Sequence, residues 1–448
     1  MKNSNIESTF GLDSFTKLIN GSAIGGHRKR KIDCVKLMHT ICQETIKSSP
    51  SFRNLAEAYF FNHGTIVSKQ AIAKKFNDDM LTLFKSILSN LFSKFLKLPK
   101  IDYSGKLKSI FNRILLQDST VVKLPDSADE SFIGMKNQNK NSKGCRIQAV
   151  FDILSNNFAD FEITPYTVND QKAASRTKSF LQRRDLIIRD LGYLTMDGLS
   201  RIIELKAFFI SKIKTTTNFY DQDGNKVNLL NLFGKSKLVD CHLLMSKKKI
   251  PVRLVARPVP QNIANERIRK KKKDSRNNPS KDSLKLCGWD IIITNISQND
   301  IEPNIIIELY KLRWKIEIIF KTWKSFFNLK AFHSGISKNQ IMIYIIARLI
   351  TISYINTRII NPLLNIAEKE YNVFLSYQKL TQFIASKLEK IIRYLENKSS
   401  TSIRDLLIVI IKNTQYEKRR RINYKQKEAM LLNNLMRDNP KKLKDVRA

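Results

Sequence analysis

Residues 310–324 read YKLRWKIEIIFKTWK, and an α-helix turns their spacing of Tyr310, Arg313, Glu317 and Lys324 into one stripe. With each residue advancing about 100°, Arg313, Glu317 and Lys324 fall at roughly −60°, −20° and −40° from Tyr310, an arc about 60° wide. Leu309, Leu312, Ile316, Ile319 and Trp323 gather on a second face, roughly 110° away. One side of this helix is therefore built to pack and the other to present chemistry. A lone carboxylate between cations suits a metal ion approached by a phosphodiester, with Glu317 on the metal and Arg313 and Lys324 on phosphate oxygens. The same residues also fit a solvated charged face with Arg313–Glu317 pairing at i,i+4. From this helix alone both readings stand.

Working outward, 448 residues exceed one ordinary core, and 42% apolar residues are enough to fill several. The chain is expected to be globular. Its 79 Lys+Arg against 40 Asp+Glu give a net charge of +39, a field that draws polyanions and makes their binding steeply salt-dependent. AT-rich codon usage explains many lysines but should enrich Glu as well, so nucleic acid is the expected partner. No basic amphipathic helix with a wide apolar face marks either end for a membrane surface. Cys34, Cys42, Cys145, Cys241 and Cys287 are odd in number and lack CxxC pairing, as reduced thiols of a cytosolic chain would be. MKNSNIESTF holds no apolar signal segment, and the apolar residues 341–355 are short for a membrane span and carry Arg348.

Residues 1–108 read as a helical DNA-binding domain, with basic GGHRKRK at 25–31 and SKQAIAKKFNDDM from Ser68, which fits a helix-turn-helix or a plain amphipathic helix behind a capping serine. Residues 109–214 alternate strands and helices. RILLQDSTVVKL from Arg113, CRIQAVFDI from Cys145 and NFADFEITPY from Asn157 read as strands, QKAASRTKSFLQRRD from Gln171 as a helix, LIIRD from Leu186 as a buried strand, GYLTMDGLSRIIELK from Gly192 as a helix and AFFISKIK from Ala207 as a strand. A mixed sheet flanked by helices is expected. Residues 215–286 read as a β-rich insertion, with a turn at Asp223–Gly224 and a basic loop RIRKKKKDSRNNPSKDS from Arg267. Residues 287–334 return to the mixed sheet and the stripe helix, and residues 335–448 are helical, ending in a basic tail from Glu417.

Glu317 needs partners, because two-metal phosphoryl transfer uses about three carboxylates converging on ions roughly 4 Å apart. Asp118 sits within an apolar strand, where a charge is costly unless a metal or hydrogen bond holds it. Asp190 closes the buried strand LIIR, and ligand sites form at the carboxyl ends of strands in α/β sheets. Each aspartate could equally serve as a cap or a turn residue.

Together these motifs resemble IS4-type transposases. YKLRWKIEIIFKTWK matches that family's Y-(2)-R-(3)-E-(6)-K signature, DST at Asp118–Thr120 its first aspartate segment, DLGY at Asp190–Tyr193 its second, and WDIIITNI from Trp289 the strand that leaves its β insertion. At Asp190 the family commonly has DRGY or DREA, so a basic neighbour is absent here. The resemblance implies an α/β fold: an RNase H-like mixed-sheet core interrupted by the β-rich insertion, with a helical C-terminal domain for dimerisation. It implies Asp118, Asp190 and Glu317 as catalytic metal ligands for two Mg²⁺ or Mn²⁺ ions. Tyr310, Arg313 and Lys324 would grip DNA phosphates, and Trp289 would either stack on a flipped base or fill the core. Further implications are cut-and-paste transposition through a nick and a freed 3′-OH, action on double-stranded transposon ends and target DNA as a homodimer, and a bacterial cytoplasmic, nucleoid-associated location without membrane contact. A nuclease that cuts without joining, and a DNA-binding protein derived from a decayed transposase, are the competing readings.

Overall fold

Side chains that accept backbone hydrogen bonds open the first three N-terminal helices. In the computed structural model, which describes residues 31–96, 109–137, 140–273, 278–396 and 400–416, α1 (Cys34–Lys47) starts where Asp33 accepts the Lys36 N–H at 3.0 Å. Ser51 and Asn54 form a capping box on α2 (Phe52–His63), which ends at Gly64 in the left-handed region, φ 69°. Ser68 accepts the Ala71 N–H at 3.2 Å and opens α3 (Lys69–Ala73), as its sequence position suggests. The short α3 leads into α4 (Asp78–Leu96), whose Phe84, Ile87 and Leu91 are buried. Residues 25–30, 274–277 and the basic tail from 417 lie outside the described residues.

The central strands follow the expected apolar runs: β1 (Arg113–Lys123), β2 (Ile133–Asn137), β3 (Lys140–Asp152) and β4 (Asn157–Pro165). The helix expected from Gln171 is only α5 (Asp170–Ala173) followed by a 3₁₀ stretch, Ala174–Ser179. Ser175, Thr177 and Ser179 hydroxyls each donate to a carbonyl three residues back and compete with the α-helical ladder. Next come β5 (Asp185–Arg189), a 3₁₀ turn at Leu191–Tyr193, α6 (Met196–Glu204) and β6 (Phe208–Lys212). The insertion supplies β7 (Phe219–Tyr220), β8 (Lys226–Val227), α7 (Leu229–Phe233), β9 (Val239–Met245) and β10 (Ile250–Pro258). After β10 the basic run expected as a loop is instead largely helical, α8 (Gln261–Lys273). Arg267 and Lys271, four residues apart, anchor one side of it to Asp290 and Thr215, so its other lysines can stay in solvent.

A short α9 (Lys281–Lys285) then leads to β11 (Trp289–Thr294). All eleven strands form one sheet in the order β2-β3-β1-β5-β6-β11-β10-β9-β7-β8, with β4 also on β3. Among the described residues only the β1–β5 and β5–β6 pairings are parallel. Because β11 pairs with both β6 and β10, the insertion continues the central sheet.

The stretch that suggested one helix is two, α10 (Pro303–Lys311) and α11 (Trp314–Phe326). Leu312 and Arg313 keep right-handed helical angles, but Arg313 N–H bonds Tyr310 O and Ile316 N–H bonds Arg313 O, a locally tighter three-residue winding. The apolar face is placed as expected, with Leu309, Leu312, Ile316, Ile319 and Trp323 all buried.

Beyond it, α12 (Lys338–Ile355) runs through a π turn at Asn356–Ile360 into α13 (Asn361–Tyr371). This continuous helix, longer than the apolar segment suggested, is long and apolar enough to cross a membrane, yet 83% of its most apolar window is buried within the protein. Arg348 is absorbed there by the carbonyls of Thr45, Ser48 and Ala331. Two more helices follow, α14 (Tyr377–Glu396) and α15 (Ser400–Thr414).

Strand alternation divides the core into two layers. Ile114, Leu116, Leu186, Ile188 and Ile292 face α1, α4 and α10–α15, whereas Leu115, Ile187, Phe209, Ile291 and Ile293 face α6 and the insertion. The N-terminal and C-terminal helices therefore share one core on one face of the sheet.

Candidate active site at the carboxyl ends of the parallel strands

Register puts two aspartates side by side. Gln117 pairs with Arg189 across β1 and β5, and Arg189 with Ser211 across β5 and β6. One position further along each strand lie Asp118, Asp190 and Lys212, all on the sheet face that carries α10 and α11. Asp190 stands at the start of the Leu191–Tyr193 turn but makes no side-chain cap bond, so capping does not occupy its carboxylate. Asp118 accepts the Ser119 N–H at 2.8 Å.

The helix pair closes over this row. Tyr310 Oη donates to Asp190 Oδ1 at 3.4 Å, and Arg313 Nη1 donates to Asp118 Oδ2 at 3.4 Å. The same guanidinium pairs with Glu317, in the first turn of α11. Sequence-distant Asp118, Asp190 and Glu317 are thus linked through Tyr310 and Arg313. Lys324 lies further along α11, within the field of Asp118.

Crowding shows in the proton affinities. Burial raises the Asp118 carboxyl from 3.8 to about 6, with Asp190 and Glu317 adding to the rise and the Ser119 N–H and Arg313 opposing it. Arg313 is pushed above its ordinary value: burial opposes its charge, but Tyr310, Asp190 and Glu317 outweigh it. Burial lowers Lys324, with Lys330 assisting and Asp118 opposing.

Among the described residues, no three His, Cys, Asp or Glu side chains are gathered closely enough to hold a metal ion as they stand. The donor chemistry nevertheless fits a hard divalent cation, since Asp118 and Glu317 share the partly buried Arg313 guanidinium and the Asp190 carboxylate stands beside them.

Trp289 is not brought to this site. It alternates with Asp290 along β11, so its ring turns to the opposite sheet face and packs on Phe233 with centroids 4.7 Å apart. Four residues that the motifs did not single out are present instead. A 250 Å³ cavity beside the carboxylates is lined by Lys212, Arg267, Asp290, Tyr310, Arg313 and Trp314, among others. The Lys212 ammonium lies 5.2 Å from the Tyr310 ring centre, and Trp314 is 54% exposed. Lys212 had a signal in the sequence: it closes the apolar strand FFISK as Asp190 closes LIIR.

Two aspartates just past the last parallel pairing of β1 with β5, and Glu317 on α11, all flanked by cations, suit an enzyme of phosphodiester chemistry. The chain belongs to the DDE transposase family, because the family model for the transposase DDE domain matches residues 110–352, more than half of it. It is similar to the transposase for insertion sequence element IS231F of Bacillus thuringiensis subsp. israelensis, 27% identical over 67% of this chain and 68% of that one. A second relative, the transposase for insertion sequence element IS1151 of Clostridium perfringens, is 27% identical over 73% and 75%. Against the piggyBac transposase synaptic complex with hairpin DNA the TM-score is 0.42 at 9% identity, covering 95% of this chain and 85% of that chain, too low to inform the fold. This protein is accordingly an enzyme that cleaves DNA and transfers strands, and its family generally works with divalent metal ions.

Proposed function

We propose that this chain is the transposase of an IS4-type insertion sequence, cutting at the element's ends and joining them to target DNA, with Asp118, Asp190 and Glu317 as its metal ligands. The observation that carries the reading is the row of Asp118 and Asp190 on adjacent parallel strands, linked to Glu317 through Arg313. The order β4-β3-β1-β5-β6, with β1, β5 and β6 parallel, supports an RNase H-like core.

Two Mg²⁺ or Mn²⁺ ions, when bound, would lower the pKa of an attacking hydroxyl and neutralise charge on the scissile phosphate. Asp118 and Asp190 hold their oxygens on the rigid sheet, and Glu317 brings a third from α11. Arg313 bonds both Asp118 and Glu317 in the free protein, and phosphate oxygens are natural new partners for its planar fork. Tyr310, Lys212 and Lys324 add donors for the phosphates on either side. Trp314 offers an exposed ring for a base that leaves the stack. The protein acts as a homodimer on paired ends in the bacterial cytoplasm.

The test is a gel assay of the full chain with Mg²⁺ and DNA carrying the element's ends. Nicked ends followed by strand-transfer products are expected. Cutting without any joined product would assign the chain to the nucleases instead.

A further inference from the structure

Asp170 has no part in the chemistry above, yet it touches both segments that carry the aspartates. Its Oδ1 accepts from Ser119 Oγ at 2.8 Å, Arg146 Nη1 at 3.2 Å and Gln148 Nε2 at 3.2 Å. Arg146 Nη1 also donates to Ser119 Oγ at 2.9 Å, closing the group on itself. Ser119 follows Asp118 in β1, so strand alternation sends its hydroxyl to the face opposite the carboxylate.

The other half of the contact is with the turn after β5. A Cβ added to Gly192 would lie 3.1 Å from Asp170 Oδ2 and 3.4 Å from Asp170 Cβ, so Asp170 packs directly against the backbone two residues after Asp190. Tyr193 Oη donates to Gln148 Oε1, the far side of the amide that donates to Asp170. Gln148 and Tyr193 are almost wholly buried, which makes these bonds costly to leave unmade.

We propose that Asp170 is a positioning residue, whose carboxylate ties Ser119, beside Asp118, to the Gly192–Tyr193 turn that follows Asp190 and so holds the two aspartates at the spacing a divalent ion requires. This rests on the reading of Asp118 and Asp190 as metal ligands. The bracket works from the sheet face opposite the Asp118 carboxylate. It also bears on the glycine of DLGY, since a Cβ at 192 would require Asp170 to give by a few tenths of an ångström.

The test titrates the full-length protein with Mn²⁺ alone by calorimetry, with melting temperatures measured in EDTA. The wild type is compared with Asp170→Ala, Ser119→Ala and Asp118→Asn. Asp170→Ala and Ser119→Ala are expected to weaken Mn²⁺ binding by roughly ten- to a hundredfold; Asp170→Ala, which leaves the Gln148 and Arg146 donors without this acceptor, also lowers the metal-free melting temperature, whereas Ser119→Ala changes it little. The Mn²⁺ concentration for half-maximal nicking should rise by the same factor. Unchanged Mn²⁺ affinity in Asp170→Ala, alongside loss of binding in Asp118→Asn, overturns the role of Asp170 and leaves the ligand reading intact. Full Mn²⁺ binding by Asp118→Asn overturns both. Should Asp170→Ala not fold, Ser119→Ala decides by the same criterion.

Discussion

Arg113 and Asp185 form an ion pair that is almost entirely buried, at 4% and 0% side-chain exposure, where β1 and β5 begin side by side. Arg113 Nε donates to Asp185 Oδ1 at 3.0 Å, and Nη2 reaches the Phe180 carbonyl at 2.7 Å. Because these residues are register partners, each strand runs the same distance from the pair to its aspartate, Asp118 or Asp190. A one-residue slip would separate the aspartates and invert every side chain that follows.

Removing one partner strands a buried charge. Arg113→Ala should therefore destabilise the protein by about 3–5 kcal/mol, read from denaturant unfolding, whereas replacing both partners by apolar residues of similar volume should recover most of that loss. Equal losses in the single and double variants would show that the pair does not act as a unit.

Asp118 predicts a pH dependence of the metal-free protein. Its folded-state pKa is raised from 3.8 to about 6, so its contribution to stability is fully present below about pH 4 and is lost as pH rises through about 6. Asp118→Asn removes that loss. In EDTA the variant should gain on the wild type between pH 4 and 6 and keep a constant lead above, roughly 3 kcal/mol at most. Melting curves across that range check this, and a lead that shrinks with rising pH would contradict the burial of Asp118.

Lys212 should act on DNA rather than on the fold. Lys212→Ala removes one cation from the row beside Asp190, so the slope of log affinity against log salt should fall by about 1. Fluorescence anisotropy with end DNA at several salt concentrations measures it, and an unchanged slope would remove Lys212 from the interface.

The two tryptophans at 289 and 314 should separate. Trp314→Ala is expected to leave the melting temperature nearly unchanged and to weaken binding of end DNA by about 1–3 kcal/mol, the usual contribution of a stacked base. Trp289→Ala should instead lower the melting temperature through loss of its packing on Phe233. Melting and binding measured on both variants decide the assignment, and the opposite pattern would restore Trp289 to the DNA side.

These contrasts trace what could be read from the chain. Asp118 and Asp190 were legible because a carboxylate inside or closing an apolar strand is expensive without a purpose. Glu317 and its cations were legible through helical spacing, and their stripe survives the tightened turn at Leu312–Arg313 because the chain there stays right-handed helical. The break itself was hidden, since neither Gly nor Pro marks it. Which of its two readings Trp289 takes was hidden for a different reason: alternation tells that Trp289 and Asp290 face opposite ways, but tertiary contacts, Asp290 with Arg267 and Trp289 with Phe233, tell which way is which. Asp170 was hidden because its partners are Ser119 and Gly192, contacts made by folding rather than by proximity in sequence.

Glu317→Gln offers the most direct test of the three-carboxylate centre, because it keeps the size and the α11 packing while removing the charge. End-DNA binding and Mg²⁺-dependent nicking are measured on the same preparation. Binding within a fewfold of wild type with nicking abolished is the expected result. Nicking at the wild-type rate would contradict the assignment of Glu317, and with it the centre built from Asp118, Asp190 and Glu317.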